Sequence, residues 1–425
     1  MKIDKDKLVK IIDFWHESLD KTELFSREAI DEINYSDKEI VDIIGPRRSG
    51  KSSLLKLIIS RLGIVDGFLY VNFEDPFFIE NNDAQIVEEL VAVCKEYFNG
   101  NLKYLFFDEI QEVQNWEKAV RKLRDGTDYK IFVTGSSSTL LSRELSSLIT
   151  GRHITTKMFP LSFQEFLFFE KINIDSPKDI ILKESIIKKK FEEYMKIGGF
   201  PEVVISENRE LLKDYFYDFL QKDVVVRHQV RDRDALEKMA VFLMSNSSKM
   251  VSIASMMKAF SLSYESANNY LEYLKEAFLV FELRQFSFSL KKQSKTIPKI
   301  YSVDTGLARE VSFSFSKDYG RILENVVFLH LLRNFGDIYF YKTKNNLEVD
   351  FLVRDKGNNK ELIQVCWDLE NEKTKKREIK ALTESMKELK MKKAIIITNN
   401  EADEIEISEG KILVVPAWKW LVGKK

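Results

Sequence analysis

The chain has 425 residues, of which 44% are hydrophobic and 31% are charged, and its formal net charge is −1. These values are ordinary for a globular protein of two to four domains. The sequence has no repeat and no low-complexity tract, which excludes a solenoid, and it has no apolar run of about 20 residues, which excludes a membrane span. Two cysteines, four histidines and an N-terminus without a signal-peptide core predict a cytoplasmic protein without a zinc site.

The first strong signal is a glycine-rich loop between an apolar strand, VDII, and a helix with regular apolar spacing, KSSLLKLIISRL. Its spacing is GxxxxGK[ST], in which glycines let backbone N–H groups surround phosphates, the lysine reaches the β- and γ-phosphates and the hydroxyl binds Mg²⁺. The positive end of the helix points at the same phosphates. The residues expected to bind nucleotide are Gly45, Pro46, Arg47, Arg48, Ser49, Gly50, Lys51, Ser52 and Ser53.

A pair of carboxylates, Asp108 and Glu109, ends the next strongly apolar strand, YLFFDEI. An aspartate at this point holds Mg²⁺ together with Ser52, as in other P-loop enzymes. The adjacent glutamate is then placed to activate the attacking water as a general base. We therefore expect Asp108 and Ser52 at the metal, and Lys51 and Glu109 in catalysis.

The strands around these motifs indicate the class of P-loop fold. A further strand, GFLYVNFEDP, and a helix lie between the two motifs, and a fourth strand, YKIFVTG, follows them. An additional strand between the motif strands, with a glutamate beside the metal-binding aspartate, is typical of additional-strand ATPases. Thr134 and Ser136 end the fourth strand, where they serve either as a sensor of the γ-phosphate or as a helix start. Three polar residues after the inserted strand, Asn72, Glu74 and Asp75, form either a plain turn or a group that orients water or partner residues near the γ-phosphate.

Six stretches in order, among them GPRRSGKSSLL, FFDEIQEVQNWEKAVRKL, VTGSSSTLLSRE and GGFPEVV, resemble the prokaryotic AAA-type ATPases that carry a C-terminal domain of unknown function. The resemblance runs from about residue 20 to the end. It implies an arginine finger near Arg143 or Arg152, with Arg152 preferred as a catalytic residue, and a homo-oligomer in which that finger reaches a neighbouring site. Gly199 and Pro201 resemble a lid turn, or simply end a helix.

The middle of the chain predicts a winged helix-turn-helix. The helix SIASMMKAF, a short turn and the longer helix YESANNYLEYLKE precede a strand and a basic segment, KKQSKTIPK. The second helix is acidic, which disfavours phosphate contact. DNA binding would therefore depend on lysines of the wing: Lys291, Lys292, Lys295 and Lys299.

The last part of the chain predicts helix, three strands, helix and strand, which is the order of a restriction-endonuclease core. Glu324, Asp350 and Gln364 would lie where such enzymes bind metal. The lysine expected two residues after Gln364 is replaced by Cys366, which has no positive form. We therefore expect a nuclease-like fold with a degenerate, inactive site. The alternative is an α/β domain whose polar pairs reflect only the alternation of half-buried strands.

Together these patterns predict an α/β chain of four parts: an AAA-type P-loop core in residues 1–165, a helical lid in 166–235, a winged helix in 236–312 and a restriction-endonuclease-like domain in 313–425. The expected activity is Mg²⁺-dependent ATP hydrolysis that controls the C-terminal half, on or near DNA. The alternative is an ATP-driven signalling or scaffold switch that oligomerises and does not bind DNA.

Overall fold

The computed structural model describes residues 4–19, 24–35, 38–98, 100–136, 153–293, 295–312, 318–355, 357 and 360–423. The chain forms two compact units, residues 1–159 and residues 160–425. Among the described residues, none of the helices is both long enough and apolar enough to cross a membrane.

The first unit is a parallel sheet with helices on its faces. Its helices are α1 (Lys5–Glu17), α2 (Lys51–Arg61), α3 (Phe77–Glu80), α4 (Gln85–Tyr97) and α5 (Trp116–Gly126), with 3₁₀ turns at Glu28–Glu32 and Ile110–Glu112. Its strands are β1 (Ile40–Ile44), β2 (Phe68–Asn72), β3 (Tyr104–Asp108), β4 (Lys130–Gly135) and β5 (His153–Lys157).

The sheet of the first unit has the strand order β2-β3-β4-β1-β5, and every neighbouring pair is parallel. Strands β1 and β4 are buried along their whole length, which explains their continuous apolar sequences. Strand β4 lies between β1, which carries the glycine-rich loop, and β3, which carries the two carboxylates. The predicted additional-strand arrangement is therefore confirmed.

The second unit begins with helices and continues with two sheets. Its helices are α6 (Phe163–Phe169), α7 (Pro177–Leu182), α8 (Glu184–Ile197), α9 (Pro201–Ser206), α10 (Leu211–Asp218), α11 (Arg233–Ser245), α12 (Ile253–Phe260), α13 (Tyr264–Glu276), α14 (Leu290–Gln293), α15 (Thr305–Val311), α16 (Tyr319–Asn334), α17 (Glu372–Leu389) and α18 (Ala417–Val422), with a π-helix at Phe219–Val226. Its strands are β6 (Lys249–Met250), β7 (Val280–Leu283), β8 (Lys299–Ser302), β9 (Asp337–Lys342), β10 (Glu348–Arg354), β11 (Lys360–Val365), β12 (Lys393–Thr398), β13 (Asp403–Ile407) and β14 (Gly410–Pro416).

The elements predicted for the C-terminal half are present. Helices α12 and α13 follow α11 and β6, and β6, β8 and β7 form an antiparallel three-stranded sheet in that order. A six-stranded sheet has the order β13-β14-β12-β11-β10-β9, in which β9, β10 and β11 are antiparallel neighbours and β11 pairs with β12 in parallel. This is the predicted sequence of helix, three strands, helix and strand, extended by β13, β14 and α18.

Two glycine-containing stretches that are far apart in sequence meet inside the second unit. Gly198, with a φ of 77°, ends α8, and the backbone N–H of Gly199 donates to Asp304 Oδ2 at 2.7 Å. The same carboxylate caps α15 by accepting from the N–H of Leu307 at 2.8 Å. Burial raises the pKa of Asp304 to about 6, against the opposing effect of these backbone donors. The helix-stop interpretation of this turn therefore has a structural basis, and a lid role for Pro201 stays a prediction.

Substituting Gly306 by alanine is expected to lower the free energy of unfolding by about 1–3 kcal/mol, because added bulk in a packed interior forces the backbone to move. A Cβ atom at Gly306 would lie 2.0 Å from the carbonyl oxygen of Ile197. Gly336→Ala is the matched control, since nothing lies within 4 Å of its Cβ position. Thermal or denaturant unfolding measures the difference. Equal stability of the two variants would contradict the close approach of α8 and α15.

Candidate nucleotide site and a buried carboxylate cluster

The glycine-rich loop joins the end of β1 at Ile44 to the start of α2 at Lys51. Two of its residues have left-handed backbone conformations, Arg48 with a φ of 64° and Gly50 with a φ of 96°. A Cβ atom on Gly45 would lie 1.9 Å from the carbonyl oxygen of Met158. The loop thus needs glycine at its first position for space and at its sixth for backbone conformation, and it delivers the first amides of α2 to its own concave side.

A buried arginine that sequence reasoning missed braces this loop. Arg27 donates from Nη1 to the carbonyl oxygen of Ser49 at 2.7 Å and from Nη2 to that of Phe159 at 2.8 Å. Only 5% of its surface is exposed. Arg27 stands 18 residues before the loop in a segment with no recognisable motif, so only the folded chain reveals its contact.

Lys51 lies in the loop beside the second predicted catalytic residue. Its Nζ is 3.2 Å from Glu109 Oε1 and donates to the carbonyl oxygens of Gly45 and Pro46 at 3.2 and 3.3 Å. Both Lys51 and Glu109 are buried. The structure therefore brings the predicted phosphate-binding cation and the predicted base into one ion pair.

Asp108 is completely buried at the end of β3 and is held by hydroxyl and amide donors. Thr134 Oγ1 donates to its Oδ1 at 2.5 Å, while Tyr70 Oη and Asn72 Nδ2 donate to its Oδ2, each at 3.2 Å. The Ser52 hydroxyl also bonds to this carboxylate. Burial, and then the charge of Glu109, raise the pKa of Asp108 to about 6. Tyr70 gave no sequence signal because it lies inside an apolar strand.

Glu109 has a left-handed backbone conformation, with a φ of 49°. Its backbone N–H donates to Thr134 Oγ1 at 2.9 Å, and Gln111 Nε2 donates to its Oε2 at 2.7 Å. Burial by itself would raise the pKa of this carboxyl, but the positive charges of Lys51 and Arg47 outweigh it, so that the pKa lies below its usual value. Glu109 is therefore held as a carboxylate next to Lys51, as a general base requires.

These residues fit a magnesium–nucleotide complex. Ser52 and Asp108 are in contact and offer the hydroxyl and carboxylate oxygens that Mg²⁺ prefers. The Ser49 hydroxyl, in the loop itself, is buried and lacks a hydrogen-bond partner within the described residues. Lys51 and the paired side chains of Arg47 and Glu74 supply charge near the loop.

The remaining predicted residues of this site fall into two groups. Thr134 and Ser136 are buried at the end of β4, and Thr134 joins Asp108 to the backbone of Glu109. Arg143 and Arg152 lie outside the described residues. Thr134 places a hydroxyl between the Asp108 carboxylate and the backbone N–H of Glu109, which is compatible with a sensor. The sensor role and the arginine finger stay predictions.

A second cluster of charged residues lies in the C-terminal unit. Lys299 Nζ is 2.8 Å from Glu348 Oε1, 2.9 Å from Asp350 Oδ1 and 3.0 Å from Glu324 Oε1. Tyr301 Oη donates to Glu324 at 2.7 Å. Burial raises the pKa of Glu324 to about 7. The positive charge of Lys299 lowers this pKa, and the negative charge of Asp350 raises it. Lys299 is only 4% exposed, so its predicted place on the DNA-facing wing is wrong: burial and three carboxylates hold it inside.

Gln364 and Cys366 do not enter that cluster as metal-site residues. Gln364 Oε1 accepts from the backbone N–H of Asp350 at 3.1 Å, and its Nε2 donates to Glu378 Oε2 at 2.8 Å. The Cys366 thiol donates to the carbonyl oxygen of Asp368 at 2.8 Å, and burial, followed by the charge of Glu378, raises its pKa to about 12. Glu324 and Asp350 meet as predicted, but the amide of Gln364 is occupied by other partners.

The three other predicted wing lysines, Lys291, Lys292 and Lys295, are exposed. Phe288 and Leu290 beside them are 84% and 82% exposed. On α13, by contrast, Lys275 bonds to Glu272 and Glu282. The lysine of the second helix is therefore paired with carboxylates, whereas the three lysines between β7 and β8 are exposed.

The first unit is an AAA-type P-loop domain. Its parallel sheet has the order β2-β3-β4-β1-β5, the glycine-rich loop follows β1, and the paired carboxylates stand at the end of β3. The sequence matches the AAA domain family over residues 37–167 and two domains of unknown function, DUF8612 over residues 188–319 and DUF4143 over residues 319–420. The matches follow the order of the predicted parts.

Two relatives resemble the chain over most of its length. An uncharacterized protein of Methanocaldococcus jannaschii, MJ1544, is 40% identical, with 92% of this chain and 89% of that protein covered. An uncharacterized protein of Haemophilus influenzae is 30% identical, with 91% and 96% covered. The chain therefore belongs to the same family as these prokaryotic proteins, and in this chain an AAA domain precedes two domains of unknown function.

Solved structures resemble the chain only distantly. Cdc6p from Pyrobaculum aerophilum is 12% identical with a TM-score of 0.26, covering 68% of this chain and 88% of that one. PCH-2 of C. elegans is 13% identical with a TM-score of 0.25, covering 63% and 69%. The assignment of class rests on the strand order and the sequence relatives.

Proposed function

We propose that this protein is a Mg²⁺-dependent ATPase. The observation that supports it best is the single buried cluster in which Lys51, Glu109, Asp108 and Thr134 contact one another directly below the glycine-rich loop. An ion pair that only stabilised the fold would not require a loop with two left-handed residues, a helix N-terminus and a carboxylate suited to metal binding at the same place.

In the proposed reaction, the loop amides and Lys51 bind the phosphates, and Ser52 with Asp108 holds the metal. When bound, Mg²⁺ would neutralise charge on the β- and γ-phosphate oxygens. Lys51 exchanges its bond with Glu109 for the phosphates, which frees the carboxylate to accept a proton from the attacking water. Thr134 keeps the backbone of Glu109 and the carboxylate of Asp108 in register during this exchange.

Purified protein is expected to release inorganic phosphate from ATP with Mg²⁺ and to stop when the metal is chelated. Ser52→Ala should weaken metal-dependent turnover, because it removes a ligand hydroxyl. Ser60→Ala, at an exposed position in the last turn of α2, is the matched control and should retain activity. Phosphate release that is equal in Ser52→Ala and wild type would oppose the assigned metal site.

The nucleotide state is proposed to control the C-terminal unit, with DNA as the partner. We interpret α11, β6, α12, α13, β7 and β8 as a winged helix and β9–β12 as a nuclease-like sheet, since both have the element order that the sequence predicts. The wing then offers Phe288 and Leu290 beside Lys291, Lys292 and Lys295. Exposed aromatic and basic side chains together suit bases and phosphates. Self-association through an arginine finger without any DNA contact is the alternative.

Reversing two wing charges, Lys291→Glu with Lys292→Glu, is expected to weaken DNA binding across all sequences and to flatten its salt dependence. Lys373→Glu with Lys376→Glu makes the same change of charge on exposed positions of α17 and serves as the control. Fluorescence anisotropy against salt concentration measures both. If the wild-type chain does not bind DNA at all, the switch without DNA is favoured. If the two double variants lose affinity equally, the wing is not the DNA-binding surface.

A further inference from the structure

The ammonium of Lys299 is the central cation of a carboxylate cluster built from three elements. Lys299 is the first residue of β8, Glu324 lies on α16, and Glu348 and Asp350 lie on β10. All three carboxylates are 2.8–3.0 Å from the same nitrogen. Lys342 Nζ approaches the other oxygen of Glu348 at 3.5 Å. The cluster thus combines three acidic and two basic side chains.

The strand holds Lys299 in this position through its neighbour on the same face. Residues 299 and 301 point to one side of β8, because side chains alternate along a strand. Tyr301 donates to Glu324, and its ring stacks on Phe328, one helical turn further along α16, with ring centres 4.0 Å apart. Lys299 is therefore positioned by packing, and is not a surface side chain that happens to meet an acid.

The separation of the oxygens suits an ammonium ion and does not suit a divalent metal. Mg²⁺ binds oxygen ligands at about 2.0–2.1 Å, so its ligands must converge more closely than those around a lysine nitrogen. Among the residues that the structure describes, no group of three or more His, Cys, Asp or Glu side chains is arranged to hold a metal ion. Glu324 and Asp350 nevertheless occupy the places where the sequence predicts the ligands of a nuclease-like site.

We propose that Lys299 is a built-in cation that occupies the carboxylate pocket of the nuclease-like sheet and closes it to divalent metals. The cysteine at position 366 leaves the pocket without its expected lysine, and β8 supplies a lysine from another part of the chain. That lysine binds the carboxylates themselves, so it neutralises the ligands that a metal would need. The same contact ties β8 to β10 and α16.

The test is Mn²⁺ binding to the full chain, measured by electron paramagnetic resonance without nucleotide. Four proteins are compared: wild type, Asp350→Asn, Lys299→Met and Lys299→Met with Asp350→Asn. Lys299→Met is expected to bind Mn²⁺ at a site that depends on Asp350. The affinity of this site should be at least about tenfold higher than that of any such site in the wild type, because the carboxylates can then close around the ion. Asp350→Asn should abolish the gain. Any Mn²⁺ that binds at the proposed site of Ser52 and Asp108 would be common to all four proteins and is subtracted.

Removal of the lysine leaves the buried Asp350 and the partly buried Glu324 and Glu348 without their cation, so stability is followed as well. Lys299→Met with Glu348→Gln removes one of those charges and keeps Glu324 and Asp350. Either variant should be stabilised by Mn²⁺ in thermal unfolding, and wild type should not. Variants that fold only with Mn²⁺ support the proposal; variants that stay unfolded with it, or fold without gaining a site, overturn it.

Nuclease assays complete the test. Metal-dependent DNA cleavage by wild type that is lost in Asp350→Asn would also overturn the proposal, because the pocket would then be open to metal. In that case Lys299 would act with the metal and not in place of it. No cleavage by wild type, together with the gain of the Mn²⁺ site in Lys299→Met, is the expected result.

Discussion

Glu109→Gln is expected to reduce the rate of ATP hydrolysis by about 10²–10⁴-fold, the usual contribution of a general base. The amide keeps the shape of the side chain but cannot accept the proton of the attacking water. Glutamine also removes the charge that lies 3.2 Å from Lys51 Nζ. Lys51 would then be released to the phosphates, and ATP should bind as well as to wild type or more tightly.

Single-turnover hydrolysis and calorimetric ATP binding separate these two effects. Glu112→Gln is the matched control, because it makes the same substitution three residues along the chain, on a side chain that the reaction does not use. A Glu109→Gln variant with wild-type turnover would assign the base to another residue. A variant that loses ATP binding together with turnover would indicate a structural role for the pair with Lys51.

Lys51→Ala is expected to weaken ATP binding by about tenfold to 150-fold, which corresponds to about 1.5–3 kcal/mol for a hydrogen bond to a charged group. Arg61→Ala is the control, since Arg61 is a partly exposed cation at the other end of α2 and pairs with Asp31. Isothermal titration calorimetry with a non-hydrolysable ATP analogue measures both. Equal affinity of Lys51→Ala and wild type would refute the phosphate-binding loop.

Stability must be measured in parallel, because Lys51 is buried and its loss leaves Glu109 without a cation. The double variant Lys51→Ala with Glu109→Gln removes both charges and should recover part of any lost stability. If the double variant is as stable as wild type and still binds ATP weakly, the loss of affinity belongs to the missing ammonium and not to a disturbed fold.

The nucleotide site could be predicted from sequence because its residues are contiguous and their spacing follows from local geometry. The loop before α2 needs its glycines, its lysine and its serine within eight positions, and the apolar run before Asp108 is long enough to define β3. Strands buried on both faces give continuous apolar sequences, and the helices between them give regular spacing. These local signals determined the class of fold and the order of its strands.

Contacts between distant segments were decided only by the tertiary structure. Arg27 reaches the loop, Tyr70 reaches Asp108, and Asp304 joins two glycine turns, yet none of the three stands in a pattern that specifies its partner. Lys299 is the clearest case. It belongs to a basic segment that reads as an exposed wing, and the pairing of β8 with β7 directs it inward instead.

The sequence by itself thus determined the phosphate loop, the paired carboxylates and the element order of both halves of the chain. The sequence shows that Cys366 stands where a lysine is expected, but it does not show that Lys299, 67 residues earlier, binds the nearby carboxylates. The physical reason is that charge and hydropathy patterns report which face of an element is buried, whereas ion pairs between elements depend on how sheets and helices pack. Only the folded chain shows that three carboxylates already share a cation.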